Sequence, residues 1–172
     1  MEEKQEPSQA LFAPDGKVRL DLMDRWAEAA LRAAVESARQ SRWDCIRTPH
    51  IFLGLLAKPE PRVRYWGELL RADLTSLRST FQELFYCEVN NGQPVLCLQR
   101  EFLSDNVIQL LRHAQRRAME NRRPQIDSMD LLISILTARN NVVVECFERM
   151  PEPITAARLT ELAVIAEHKR LP

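Results

Sequence analysis

The second half of this 172-residue chain restates the first at a fixed distance of 80 positions, and no other feature limits its folding so tightly. Leu31 is matched by Leu111, Ala34 by Ala114, Ala38 by Ala118, Ile46 by Ile126, Leu53 by Ile133 and Leu56 by Leu136. Leu74 and Ile154 carry the register towards the end of each half. Such matching predicts an internal duplication. Each copy holds too few apolar residues to close a good core alone, so the copies are expected to bury their apolar faces on one another.

Periodicity and capping residues divide each copy into four helices. From Leu20 to about Arg42, Met23, Ala27, Ala30, Leu31, Ala34 and Ala38 fall on one helical face, with Asp21/Arg25 and Glu28/Arg32 as supporting i,i+4 pairs. Thr48 and Pro49 read as an N-cap and first helical residue before the apolar run IFLGLLA. Pro59 and Pro61 separate that run from a third helix carrying Val63, Trp66, Leu69 and Leu70, and Asp73 caps a fourth carrying Leu77, Phe81 and Leu84. In the second copy Ser104 caps the long helix and Pro124 ends it, while Asp127 or Ser128 caps MDLLISILTA. Asn140 or Asn141 introduces VVVECFERM, read as helix although its valine run suits a strand, and Thr155 caps the last helix. The expected fold is all-α, an eight-helix bundle of two pseudo-two-fold-related four-helix units. Residues 1–18, with Pro7, Pro14 and Gly16, show no period and are expected to be mobile; the domain then runs over 19–172, with the first copy at about 19–85 and the second at about 101–170. The linker, about 86–100, is either a short hairpin around Asn91-Gly92 or an irregular loop.

Composition narrows the function. Lys and Arg together number 24, as do Asp and Glu, so no overall field draws the chain to nucleic acid or an anionic membrane. No apolar run approaches the roughly 20 residues of a membrane span, and MEEKQEPSQALF lacks the order of a secretion signal, so a cytoplasmic location is expected. Cys45, Cys87, Cys97 and Cys146 form no C-x-x-C pair and read as idle thiols; no metal and no cofactor is expected. A phosphate loop is not written either, because Gly16-Lys17 is preceded by Leu11 where its first glycine belongs and followed by Val18, so no ATP binding is expected. Nothing resembles a nucleophile elbow, and the chain is read as a non-enzyme.

The register of the duplication carries a motif. Ala34 and Ala38 are followed by Ile46-Arg47-Thr48-Pro49-His50-Ile51-Phe52-Leu53-Gly54-Leu55-Leu56, and a diverged copy runs from Ala114 and Ala118 into Ile126 to Leu136. This A-x-x-x-A, I-x-T-x-H-x-x-L-G-L-L pattern, present twice, resembles the Clp repeat of the N-terminal domains of Clp-family unfoldases, over roughly Leu20 to Ile165. The resemblance implies a pseudo-two-fold bundle of eight helices that receives substrates or adaptors for an ATP-driven unfoldase, with a packing role for His50. Some members of that family hold phosphorylated arginine through a carboxylate in each repeat. Here those positions are Pro49 and Met129, neither of which can accept a guanidinium hydrogen bond through its side chain, so that recognition is not expected.

The functional expectation is therefore a module that binds a protein or peptide, either a Clp-type unfoldase or its clients. The expected docking site is a groove where the copies meet, with Pro49 and His50 on one rim and apolar Met129 with Asp130 on the other. Trp43 lies in a turn and reads either as a binding anchor or as packing under the linker. The alternative is a helical nucleic-acid-binding regulator using the basic surface from Arg112 to Arg123.

Overall fold

A computed structural model of the chain describes residues 10–86, 95–139 and 141–171. Among them are eight α-helices: α1 (Arg25–Gln40), α2 (Thr48–Ala57), α3 (Pro61–Leu69), α4 (Leu74–Leu84), α5 (Asp105–Glu120), α6 (Ser128–Thr137), α7 (Val142–Glu148) and α8 (Ala156–Glu167). Polar caps start most of them. Asp24 accepts from the Ala27 amide at 2.8 Å, Asp73 from Thr75 at 3.1 Å, Ser104 from Val107 at 3.3 Å, Asn141 from Val143 at 3.1 Å and Thr155 from Arg158 at 3.2 Å. The valine run is helical because it is one face of α7: Val143, Val144 and Phe147 are buried.

The pseudo-two-fold extends to single hydrogen bonds. Ile46 and the Leu103 backbone form a parallel bridge, and Met23 with Ile126 forms its counterpart. Around them the Ile46 amide donates to Phe102 at 2.7 Å and the Ile126 amide to Leu22 at 2.8 Å, while Ser104 donates to Ile46 at 3.0 Å and Asp24 to Ile126 at 2.9 Å. Both long helices end through a left-handed residue, Arg42 at φ 62° and Arg122 at φ 54°, which reverses the chain towards its next helix. The last two helices depart from the register: α7 begins at Val142, one residue later than Pro61 of α3 would require, and α8 at Ala156, two residues later than Leu74 of α4 would require.

One apolar core joins the copies. Phe52 of α2 touches Trp66, Phe81 and Phe147, with ring centroids 6.2, 5.0 and 5.9 Å away, so α2, α3 and α4 of one copy grip α7 of the other. The Trp66 indole N–H completes the join by donating to the Leu159 carbonyl of α8 at 3.1 Å. In the first copy α2 rides unusually close on α1. A Cβ at Gly54 would stand 2.1 Å from the Ala30 carbonyl oxygen, so only glycine permits this approach.

Three expectations are corrected. Residues 10–18 are held in place: Leu11 and Val18 are buried, the Val18 amide donates to the Leu98 carbonyl at 3.0 Å and the Arg100 amide to the Gly16 carbonyl at 2.8 Å, because this stretch pairs with the end of the linker. The first long helix starts at Arg25 and not at Leu20, because Asp24 caps it and Leu20–Leu22 forms a separate short turn. The Thr48 helix has Arg47, not Thr48, as its cap. The expected hairpin turn at Asn91-Gly92 lies outside the described residues, as do residues 1–9.

Candidate functional site

The duplication makes two equivalent junctions, each built by the turn after a long helix, the start of the following short helix and the opposite copy. Four matched positions carry side chains of opposite kind, and the junctions differ accordingly.

In the second copy the junction is closed by its own charges. Asp127 and Asp130 form a reciprocal capping box, each carboxylate accepting the other's amide at 2.9 Å. Arg123, on the preceding turn, forks onto Asp130 with two bonds of 2.6 Å and reaches Asp127 at 3.0 Å. Arg62 crosses from α3 to Asp127 at 3.1 Å and is held by Glu60 at 3.0 Å, while Arg117 stands 3.6 Å from Asp130 and 2.7 Å from Glu167. Burial pushes the Asp130 carboxyl up against the pull of Arg123; Asp127 is lowered in spite of burial, by the Asp130 amide and the Arg62 charge.

This overturns the expected groove. Met129 and Asp130 are both 0% exposed, Met129 in the core and Asp130 beneath its arginines, so neither forms a rim on the surface. The basic stretch from Arg112 to Arg123 is also divided. Arg117 and Arg123 are neutralised inside this network, whereas Arg112 and Arg116 are exposed.

In the first copy the matched junction is open. Trp43 takes the place of Arg123, Arg47 that of Asp127, His50 that of Asp130 and Val142 that of Arg62. The Trp43 indole N–H donates to the Phe85 carbonyl at the end of α4, which fixes the ring; Arg47 lies over it at 4.7 Å and His50 meets it edge-on at 5.9 Å. Trp43 packs at the end of α4, just before the linker, and its ring lines a cavity. Beside it is a cavity of about 530 Å³ running from the α2 start across α5 to the α6 to α7 turn. Its apolar wall is Trp43, Pro49, Phe85, Leu110 and Val142. Arg47, Arg112, Arg116 and Arg139 supply the charge, and among the described residues no Asp or Glu lines it.

The long helix explains the opening. Where Gly54 meets Ala30 in the first copy, the matched pair is Ser134 and Leu110, and α5 packs less closely on α6 than α1 on α2. Both residues line the cavity.

His50, 1% exposed, accepts the Arg47 amide at its Nδ1, 2.9 Å away, which leaves the proton of the neutral ring on Nε2. Burial, helped by the Arg47 charge, pulls its pKa down to about 4, so the ring is neutral near pH 7. That Nε2, and the Ser134 hydroxyl, find no hydrogen-bond partner among the described residues. The orphaned imidazole N–H is a packed helix-start histidine with one donor unspent. Sequence reasoning singled out Pro49, His50 and Trp43 of this wall; it missed Phe85, Leu110, Ser134 and Arg139, which only the helix packing brings there. No group of metal-ligating side chains and no helix long and apolar enough to cross a membrane occurs among the described residues.

No protein-family model matches the sequence, and no curated protein matches it. Solved structures do. The N-terminal domain of the caseinolytic-protease-associated chaperone ClpD from Arabidopsis thaliana superposes with a TM-score of 0.66 at 15% identity, covering 90% of this chain and 99% of that one. The Hsp104 N-terminal domain from Candida albicans gives 0.69 at 12% identity over 86% of this chain and 93% of its own. A ClpV N-domain in complex with a VipB peptide gives 0.61 at 16% identity over 88% and 93%. Eight helices, two copies and these superpositions agree: the chain has the fold of the N-terminal domains of Clp-family chaperones.

Proposed function

We propose that the chain is a non-enzymatic protein-binding module that recruits substrates or adaptors to a Clp-type chaperone or protease, or serves such a machine as a free-standing accessory, and that the cavity beside Trp43 is its docking site. One observation carries this reading. Of two junctions that the duplication makes equivalent, one is sealed by an internal ion network and the other keeps an apolar wall, a basic rim and an orphaned imidazole donor. A volume of about 530 Å³ suits one or two side chains of a bound segment. A ClpV N-domain of the same fold holds a VipB peptide, which supports a peptide as the kind of occupant. Domain limits of 19–172 are proposed to widen to include residue 10 onwards, since Leu11 is part of the core.

Panning a phage-displayed peptide library on the immobilised chain tests the reading. Peptides enriched on the parent should lose binding to Val142→Trp, whose new ring would fill the cavity from a position 47% exposed and therefore tolerant of change. Enriched peptides that bind the variant as well as the parent would move the site elsewhere, and failure to enrich any would remove the peptide-binding reading.

The nucleic-acid alternative finds less support. Two of the basic stretch's arginines, Arg117 and Arg123, are already paired with carboxylates, which leaves no continuous basic track for a phosphate backbone.

A further inference from the structure

Resting on that docking site, we infer that its occupant is an acidic protein segment, one that inserts an apolar side chain against Trp43 and Phe85 and presents carboxylates to the arginines of the rim.

Among the described residues the charge lining the cavity is of one sign. Arg112 and Arg116 stand on the α5 face that borders it, and Arg139 stands on the turn after α6. All three are exposed and none is in an ion pair among the described residues. Elsewhere on this chain arginines do pair: Arg62, Arg117 and Arg123 all find carboxylates. A chain of zero formal net charge that leaves one concave basic patch presents a local field, not a general one. Opposite charge on the partner complements it and like charge is excluded.

The interior wants the same chemistry. The unspent Nε2–H of neutral His50 is a donor and needs an acceptor, and the Ser134 hydroxyl can donate to one as well. In the closed junction a carboxylate already fills the corresponding place: Asp130, at the position of His50, accepts from the arginine at the position of Trp43. The open junction has reversed the polarity of that arrangement, keeping donors and losing every acceptor carboxylate. A carboxylate from outside restores the pairing that the second copy makes within itself. Meanwhile Trp43, Phe85 and Leu110 offer apolar area that only an apolar side chain would use, which separates an amphipathic acidic segment from a bare polyanion.

The test uses the full chain and short fluorescein-labelled peptides of equal length: one alternating Glu and Asp with Leu and Phe, one with those acids replaced by Gln and Asn, one with Lys in their place, and an oligo(dT) strand. Fluorescence anisotropy should give the acidic peptide a dissociation constant at least about tenfold below that of the amide peptide, with the Lys peptide weakest. Arg112→Gln, Arg116→Gln and Arg139→Gln should each weaken the acidic peptide by about threefold, and the triple variant by about tenfold or more, with circular dichroism unchanged because all three side chains are exposed. Amide and acidic peptides bound equally well would overturn the acidic assignment while leaving peptide binding intact. An acidic peptide indifferent to the triple variant, or no binding by it where library-selected peptides do bind, would equally sink it. Oligo(dT) bound more tightly than the acidic peptide, with a steep loss on adding salt, would reassign the patch to nucleic acid.

Discussion

Trp43 and Arg123 occupy the same position in the two copies of the repeat and hold their junctions in opposite ways. Arg123 forks onto Asp130 at 2.6 Å and seals its junction with charge; Trp43 meets the His50 ring in an edge contact at 5.9 Å and leaves a cavity beside it. Both side chains leave the same left-handed turn, after Arg42 and after Arg122, so the backbone is shared and only the chemistry has diverged.

Arg123 should be a stability residue. Its removal as Arg123→Ala leaves fully buried Asp130 with the longer Arg117 contact as its one remaining cation beside the Asp127 amide, and is expected to lower the unfolding free energy by about 3 kcal/mol. Urea denaturation measures this. A second variant, Arg123→Leu with Asp130→Leu, should recover part of the loss because no unpaired charge remains. A single-variant loss near zero would show that the network does not hold the junction.

Gly54→Ala tests the contact between α1 and α2. Its new methyl would lie 2.1 Å from the Ala30 carbonyl, a backbone atom that cannot swing aside, so the helices must separate. A loss of about 3 kcal/mol or more is expected by thermal or urea unfolding, whereas Ser134→Ala in the matched position should change stability by less than about 1 kcal/mol. Equal effects at the two positions would contradict the difference in packing.

His50 should give stability a pH dependence. Its pKa is about 4 in the folded chain against 6.5 for an ordinary imidazole, so the unfolded chain takes up the proton first as pH falls. Stability from this group is therefore fully present above about pH 6.5, falls between there and about pH 4, and levels off below. Between pH 7 and pH 5 the parent should lose about 2 kcal/mol more than His50→Gln. Taking the difference removes the shared contributions of Asp127 and Asp130, which titrate in both proteins. Parallel pH profiles for the two would mean that His50 is protonated in the fold.

Much of the architecture was legible in the sequence because burial follows periodicity. Ala34, Ala114, Ile46 and Ile126 recur in register and all are buried, and Asp73, Ser104, Asp127, Asn141 and Thr155 are among the caps that were expected, whereas Asp24, Arg47 and Glu60 were not. The groove was not legible for a physical reason. Met129 and Asp130 were placed on the surface by their position in the motif, yet a carboxylate with arginines seven and thirteen residues before it can be buried once those cations fold over it. A signal for this existed in the spacing of Arg123, Asp127 and Asp130, which a helix start brings together. The cavity followed from the positions where the copies disagree, such as Val142 against Arg62 and Ser134 against Gly54, whereas the duplication was found from those where they agree. Residues 10–18 escaped because a stretch without period can still bury single side chains such as Leu11.

The claim that matters most is that the open junction, and not the sealed one, receives a protein segment. Titrating the ¹⁵N-labelled chain with a library-selected peptide and following its two-dimensional amide spectrum addresses this directly. The account predicts shifts at the Trp43 indole N–H and at the backbone amides of His50, Ser134, Ala138 and Val142, with Arg123, Asp127 and Asp130 unmoved. Shifts centred on Arg123 to Asp130 with the Trp43 indole unchanged would contradict it.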